Sequence, residues 1–320
     1  MTMQISLLEP IGISESLVGE FGKKVEVLGH QFRYYNTKTT DIKELIERSK
    51  DQEIVMIANN PYPNEVVRAS KTLRMIAVAF TGIDHVGLAA CKEQGVEVCN
   101  CAGYSDRAVS ELVIGLTLSL LRKIGDGDIA VRSGRTSAGL MGSEIGDKTV
   151  GIIGCGRIGY QTARLFQAFG AKVLAYSRTV NKEHEKNGIV YPGLETLLSE
   201  SDIVSLHLPN TPQTKGFLNK ERLSLMKQDA IFINCARGPI VDSVALAEQL
   251  NAGKLAAAGL DVFDTEPPLA TDYPLVQAKR TLLTPHVAFL TKEAMVRRSV
   301  IEFDNVLSYL KGEIKNRCTF

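Results

Sequence analysis

The sequence predicts an α/β fold in which mostly parallel sheets are covered by helices. Three observations lead there. Short β-branched apolar runs alternate with amphipathic stretches of helical period along nearly the whole chain. A glycine triplet stands directly between one such run and one such helix. The chain has 320 residues, which at about 150 per domain suggests two domains.

The elements follow in order. Residues 3–8 read as a strand, 13–21 as a helix, 24–28 as a strand, 41–49 as a helix and 54–57 as a short buried strand. The Asn-Asn-Pro-Tyr-Pro stretch at 59–63 is a loop by composition, and strands at 75–79 and 96–100 complete the first half. Residues 105–123 read as one long helix, apolar on most faces and therefore buried. The glycine-rich stretch 125–146 reads as loop and short turns leading to a second domain. There a strand at 149–153, a helix at 158–168 and a strand at 172–176 are followed by strands at 203–206, 230–235, 257–260 and 281–284. A long helix near 291–310 ends the chain and is free to return to the first domain.

Composition excludes several classes of function. Lys plus Arg is 37 and Asp plus Glu is 36, so no basic excess points to nucleic acid or an anionic membrane. The longest apolar stretch, 112–121, is too short to span a bilayer, and residues 1–10 lack a signal-peptide pattern. The six cysteines (Cys91, Cys99, Cys101, Cys155, Cys235, Cys318) form no C-x-x-C pair and no zinc spacing. The expectation is a cytoplasmic protein with free thiols and no metal site.

Residues 150–160 read VGIIGCGRIGY. Gly154, Gly156 and Gly159 make G-x-G-x-x-G after a strand and at the head of a helix. The first allows a tight turn, the second lets backbone approach a pyrophosphate, and the third lets helix pack on strand. Helix N-terminal N–H groups then face the anion, so Gly154, Gly156, Arg157, Ile158 and Gly159 are expected to bind a dinucleotide. The ribose site follows the next strand. An NAD-preferring unit usually has an acid there, but the residues are Ser177-Arg178-Thr179, and no acid occurs between Gly170 and Lys182. Ser removes the repulsion of a 2′-phosphate, and Arg178 can pair with it. Such a bond is worth about 1.5–3 kcal/mol, roughly ten- to hundredfold toward NADP(H) over NAD(H).

Three further strand ends carry chemistry. Arg237, Glu266 and His286 each follow the carboxyl end of a successive predicted strand, the edge where open α/β sheets bind ligands. A cation, a carboxylate and an imidazole suffice to hold a carboxylated substrate and move one proton.

These residues, with FTGIDHVGLAACKEQGV (80–96), GYSDRAVSE (103–111), SLHLPNTPQTKGFLN (205–219), INCARGPIVD (233–242), GLDVFDTEPP (259–268) and TPHVAFLT (284–291), resemble the D-isomer-specific 2-hydroxyacid dehydrogenase family over nearly the whole chain. The resemblance implies two doubly wound parallel-sheet (Rossmann-like) domains with a cleft between them. Residues 1–101 plus 288–320 would form the substrate-binding, flavodoxin-like domain, and 102–287 the dinucleotide-binding domain. It also implies a homodimer held largely by the long helix after Gly103. The implied activity is NAD(P)H-dependent reduction of a small 2-oxo acid to a D-2-hydroxy acid. A cofactor-sensing, co-repressor-like binding protein is the alternative.

By the same match Arg237 grips the substrate carboxylate and polarises its oxo group, which a planar, bidentate guanidinium can do. His286 is the acid in reduction and the base in oxidation. Glu266 orients its ring and favours imidazolium. Backbone at Thr81 and Gly82 binds the carboxylate from the far side, and Asp261 takes the nicotinamide carboxamide. His207, Pro209, Cys235 and Ala236 line the cofactor, His207 as a wall and not as an acid. Cys155 and Cys235 are expected to pack, since no base is placed for either.

Departures from the family pattern bear on the substrate. Ser177 replaces an Asp, and Gly87 stands where many members have a second Asp that caps a helix. Val78 occupies the place of an Arg found in 3-phosphoglycerate dehydrogenases, and 320 residues leave no room for an added regulatory domain, so a phosphorylated substrate is not expected. Glu266, where formate dehydrogenases carry Gln, argues against formate. Tyr104-Ser105 and Ala288-Phe289 lean toward lactate-like members, with Phe80, Tyr104, Phe289 and Tyr62 as an apolar wall. Ser177-Arg178 leans toward glyoxylate and hydroxypyruvate reductases.

Overall fold

Every strand of this protein is parallel to its neighbours, so both faces of each sheet must be covered by crossover helices and the central strands must be largely apolar. A computed structural model describes residues 2–320. It divides into two compact units, one comprising the residues up to Ser105 together with Leu290–Phe320, the other Asp106–Phe289.

The first unit runs β1 (Gln4–Leu7), α1 (Glu15–Val27), β2 (Gln31–Tyr34), α2 (Ile42–Ser49), β3 (Ile54–Ile57), α3 (Asn64–Ala69), β4 (Met75–Val78), α4 (Leu88–Gln94) and β5 (Glu97–Cys99). The spatial order is β2-β1-β3-β4-β5. Residues 24–28, expected as a strand, are the last turn of α1 and its cap. Val25 is buried on the helix's apolar face, while Val27 is 85% exposed. The strand is instead Gln31–Tyr34, an edge strand of alternating exposure whose two half-buried rings, Phe32 and Tyr34, alternate with the exposed Gln31 and Arg33 and give little apolar signal. Gly87 is the N-cap of α4, and a Cβ there would lie 2.4 Å from the Asn64 backbone nitrogen. The cap bond comes from outside the helix: Asn64 Oδ1 accepts from the Ala90 N–H at 3.0 Å.

The second unit begins with α5 (Asp106–Leu121) and α6 (Ile124–Arg132), then β6 (Thr149–Ile153), α7 (Arg157–Ala168), β7 (Lys172–Tyr176), α8 (Lys182–Lys186), α9 (Leu194–Glu200), β8 (Ile203–Leu206), α10 (Lys220–Ser224), β9 (Ile231–Asn234), α11 (Ser243–Asn251), β10 (Ala257–Leu260), α12 (Pro274–Gln277) and β11 (Thr281–Leu283). Residues 125–146 are thus not all loop; α6 fills their first third despite Gly125 and Gly127. The sheet order is β11-β10-β9-β8-β6-β7, and a single parallel bridge, Leu174 to Val190, extends it beyond β7. Alternate residues feed two cores. Phe232 joins Ile153, Val204 and Leu206 on one face, while Ile231 and Ile233 join Val150, Ile152 and Val173 on the other. The long α5 packs on the second of these faces, where Leu116 and Leu120 meet the bare backbone of Gly259.

The chain closes with α13 (Lys292–Tyr309), which belongs to the first unit. Phe303 stacks on Phe21 at 4.9 Å and tilts against Phe32 at 5.6 Å. The tail then runs antiparallel along β5, with Cys318 N donating to Val98 O.

Candidate active site

The chain reverses direction across its second sheet between β6 and β8, and the glycine triplet lies at that switch point. Gly154 has φ +95°, and a Cβ on it would sit 2.6 Å from the His207 carbonyl oxygen. A Cβ on Gly159 would sit 2.2 Å from the Gly154 oxygen, so α7 packs directly on the turn. By contrast a Cβ on Gly156, the N-cap of α7, would meet nothing within 4 Å. The bare backbone there faces open space at the N-terminus of a 12-residue helix. That opening, with its free N–H groups and positive dipole end, fits a pyrophosphate.

The end of β7 is tied to this turn. Cys155 N donates to Ser177 Oγ at 2.7 Å, while Arg178 and Thr179 are exposed. Arg157 pairs with Asp106 at 2.9 Å, so its backbone rather than its guanidinium is offered at the helix start. Ile158 is half-buried beside it. Cys155 is buried and its thiol is pushed up by burial, as expected of a packing residue.

His207 follows β8. Its N–H donates to Ile153 O at 2.7 Å, and Nε2 lies 2.8 Å from Ser205 Oγ. Burial pushes its imidazole down to about 4, so it is neutral at pH 7 and no proton donor. Pro209 is exposed, and its carbonyl accepts from Thr214 Oγ1 at 2.5 Å.

The turn after β9 is folded by a residue that sequence reasoning passed over. Asn234, 2% exposed, accepts from Ala236 N at 2.9 Å and donates to Arg237 O at 3.1 Å. Arg237 Nη1 donates to Ala236 O at 2.8 Å. A Cβ on Gly238 would lie 1.8 Å from the Phe263 carbonyl carbon, so the turn after β9 is pressed against the turn after β10. Only glycine fits, which holds Arg237 in register with the next strand end. Cys235 is buried, and burial beside Asp261 raises its thiol well above the ordinary range.

Asp261, the residue expected at the carboxamide, is tied into its own turn. It is 0% exposed. Its Oδ1 accepts from Thr284 Oγ1 at 2.6 Å and Val287 N at 2.9 Å, and its Oδ2 accepts from Ala288 N at 2.9 Å. Its own carbonyl accepts from His286 N at 2.8 Å. The carboxylate therefore folds the turn that carries His286. That turn needs support, because His286 has φ +56°, a left-handed conformation that costs an L-residue about 1 kcal/mol.

His286 Nδ1 lies 3.0 Å from both Glu266 oxygens. The side chain of Glu266 is 72% exposed and that of His286 23%. A carboxylate accepts only, so Nδ1 carries the proton in this contact and Nε2 is left as the working nitrogen. Phe289 packs edge-on against the imidazole at 5.5 Å. Gly154, His207, Arg237, Asp261 and His286 thus follow five neighbouring strands in the order β6-β8-β9-β10-β11. At about 4.8 Å per strand that row is roughly 19 Å long, room for an extended dinucleotide ending at the imidazole.

In the first unit the expected substrate residues divide. Tyr62 is 0% exposed, and its hydroxyl bonds Ser49 at 2.9 Å. Phe80 and Tyr104 are 8% and 1% exposed, with the Arg298 guanidinium 4.8 and 5.8 Å from their rings. These three rings are core residues and present no open apolar wall. Thr81 is exposed and Gly82 half-buried in the loop after β4. That loop is held by Asn100 Nδ2, which donates to Thr81 O at 2.8 Å.

A doubly wound dinucleotide domain with a guanidinium and an oriented imidazole on its strand ends defines a nicotinamide-dependent oxidoreductase. Comparison with known proteins agrees. The family model for the D-isomer specific 2-hydroxyacid dehydrogenase, NAD binding domain, matches residues 114–288. The hydroxypyruvate reductase of Blautia hydrogenotrophica is 37% identical over 303 residues, covering 92% of this chain and 93% of that protein. The glyoxylate reductase of Thermofilum pendens is 36% identical over 280 residues, covering 85% and 82%. Among solved structures, an acyclic imino acid reductase in complex with NADPH and D-arginine superposes with a TM-score of 0.90 at 28% identity, covering 99% of this chain and 100% of that one. The chain belongs to the D-isomer specific 2-hydroxyacid dehydrogenase family. It is an NAD(P)-dependent oxidoreductase that interconverts 2-oxo and 2-hydroxy acids.

Proposed function

We propose that this protein reduces hydroxypyruvate to D-glycerate and glyoxylate to glycolate, with NADPH preferred to NADH. The observation that carries the chemistry is the His286–Glu266 pair at 3.0 Å, two strand ends away from Arg237. Arg237 holds the substrate carboxylate and draws charge from the adjacent carbonyl. In the first unit the backbone at Thr81 and Gly82 is the proposed carboxylate contact. His286 Nε2 gives its proton to the carbonyl oxygen as negative charge develops there. Glu266 keeps the Nδ1 proton in place and stabilises the cationic ring. The nicotinamide supplies the hydride when bound. Gly154, Gly156, Gly159 and the backbone of Arg157 and Ile158 would hold its pyrophosphate, with His207, Pro209, Cys235 and Ala236 along its length. The carboxamide is not assigned to Asp261, whose surface is fully covered.

The substrate reading is supported by the curated relatives and by the buried state of Tyr62, Phe80 and Tyr104, which favours a small polar acid over a bulky apolar one. The cofactor preference is supported by Ser177 in place of an acid and by the exposed Arg178. A homodimer is supported by exposed apolar side chains on α6 and beyond it, where Ile124, Ile129, Val131 and Met141 are 55%, 56%, 77% and 89% exposed, costly to leave in water. Six unpaired cysteines suit the reducing cytoplasm.

The test is initial rates with NADPH and NADH on glyoxylate, hydroxypyruvate, pyruvate, 2-oxoisocaproate and phenylpyruvate. Fast NADPH turnover of the first two is expected, and Ser177→Asp should shift the NADPH/NADH ratio of kcat/KM at least tenfold toward NADH. Wild-type turnover with NADH alone, or an unmoved ratio in the variant, would remove the ribose assignment. Fastest turnover of phenylpyruvate would remove the substrate assignment.

A further inference from the structure

The carboxyl edge of the first sheet holds a polar cluster that the roles above do not use. Glu9, just past β1, is fully buried. Its Oε1 accepts from the N–H groups of Ala58 and Asn60 at 2.8 and 3.0 Å, stapling the loop after β3. Its Oε2 lies 3.7 Å from Lys38 Nζ, and that ammonium donates to Asn59 Oδ1 at 2.9 Å. An ammonium can bond only the oxygen of an amide, so the orientation of the Asn59 side chain is decided by chemistry: oxygen toward Lys38, NH2 away from it.

This loop is sewn to the loop that carries Thr81 and Gly82. Tyr62 N donates to His85 O at 2.9 Å, and Gly87 N donates to Tyr62 O at 2.8 Å. Their parent strands, β3 and β4, are direct neighbours, about 4.8 Å apart. A short acid whose carboxylate lies on Thr81 and Gly82 can therefore reach the loop after β3 with its far end. Three amides stand at this edge. Asn100 is committed at both ends, to Thr81 O and Ala102 N, and Asn60 Nδ2 donates to Thr39 O at 3.0 Å. Asn59 is exposed and, among these three described amides, it alone has its oxygen fixed and its NH2 uncommitted.

We propose that Asn59, oriented by the Lys38–Glu9 pair, is the specificity residue that donates a hydrogen bond to the 3-hydroxyl oxygen of hydroxypyruvate, and so ranks it above acids without that group. The inference rests on the 2-oxo acid reductase reading. Lys38 faces the Glu9 carboxylate, so the spot offers a donor with little net charge, which suits a hydroxyl and not a phosphate. A site built to bond a hydroxyl discriminates strongly against the analogue that lacks it.

The experiment is kcat/KM for hydroxypyruvate, glyoxylate, pyruvate and 3-phosphohydroxypyruvate in wild type, Asn59→Leu and Lys38→Met. Asn59→Leu should lower the hydroxypyruvate/glyoxylate ratio at least tenfold and move the hydroxypyruvate/pyruvate ratio the same way. Lys38→Met, at a half-exposed side chain that leaves the loop's other bonds in place, should lower it severalfold by releasing the amide. Equal losses on all acids, an unmoved ratio in both variants, or wild-type preference for the phosphorylated acid would overturn the proposal. No turnover of hydroxypyruvate or glyoxylate by wild type would instead mark failure of the underlying functional reading.

Discussion

At the scale of residues, the reaction rests on a proton that must be present at one nitrogen and a ring that must not turn. On the proposed mechanism His286 meets the first need and Glu266, 3.0 Å away, the second. His286→Gln keeps a hydrogen-bonding side chain but removes the proton donor. Turnover is expected to fall by about 10²–10⁴, with cofactor affinity changed less than threefold, because the donor acts only in the transition state. Stopped-flow turnover beside cofactor titration by fluorescence checks this, and unchanged turnover would take His286 out of the mechanism. The places of Arg237, Glu266 and His286 after neighbouring strands were legible because residue type and strand pattern speak together. Asn234 and the task of Asp261 were not. Both are polar side chains that fold a backbone turn back on itself, and nothing in a linear pattern separates such a staple from a ligand contact. The neutrality of His207 was half legible: its position ruled it a wall, but burial is what lowers its imidazole to about 4.

At the scale of elements, the buried strands of the second unit could be read almost to the residue, since β6, β7, β8 and β10 are nearly continuous apolar runs between turn signals. Reading failed where an element is exposed or short. The edge strand β2 shows only alternate half-burial, and α6 carries two glycines that imitate a loop. The turns between elements carry a stricter requirement than the elements themselves. Gly238 shows it: the turn after β9 touches the turn after β10 so closely that a Cβ would lie 1.8 Å from a backbone carbon, which cannot move like a flexible side-chain end. Gly238→Ala is expected to destabilise the second unit by at least about 3 kcal/mol. Where it still folds, it should displace Arg237 enough to lower kcat/KM about a hundredfold. A melting curve and the kinetics with the best acid test both parts, and a variant with wild-type melting and wild-type kcat/KM would show that the two turns are not coupled.

At the scale of the whole molecule, stability is tied to pH by a buried carboxyl group of the first unit. Glu302 lies in α13, is 0% exposed, and neither of its oxygens has a hydrogen-bond partner among the described residues. Burial raises its pKa well above the ordinary range. Arg298, one turn earlier on the helix, opposes that rise, while Glu9 adds to it, and the buried Cys101 thiol is the other titratable group that feels its charge. Below about pH 4.3, the unfolded value, both states hold the proton and the group is neutral to stability. Above it the unfolded chain releases the proton while the folded chain retains it, so stability falls with rising pH, by up to about 1.4 kcal/mol per unit, until the folded group also ionises. The paired surface acids Glu44, Glu93 and Asp202, held below their ordinary values, slope the opposite way, so only a difference between variants isolates Glu302. Glu302→Gln preserves shape and removes the titration. The variant is expected to unfold at a higher urea concentration than wild type at pH 8, and the gap should narrow toward pH 5 as the pH nears the unfolded value of about 4.3 and the folded chain's retained proton counts for less. Parallel midpoints at the two pH values would mean that the buried carboxyl holds no proton the unfolded chain lacks, and that Arg298 neutralises it in the folded protein after all.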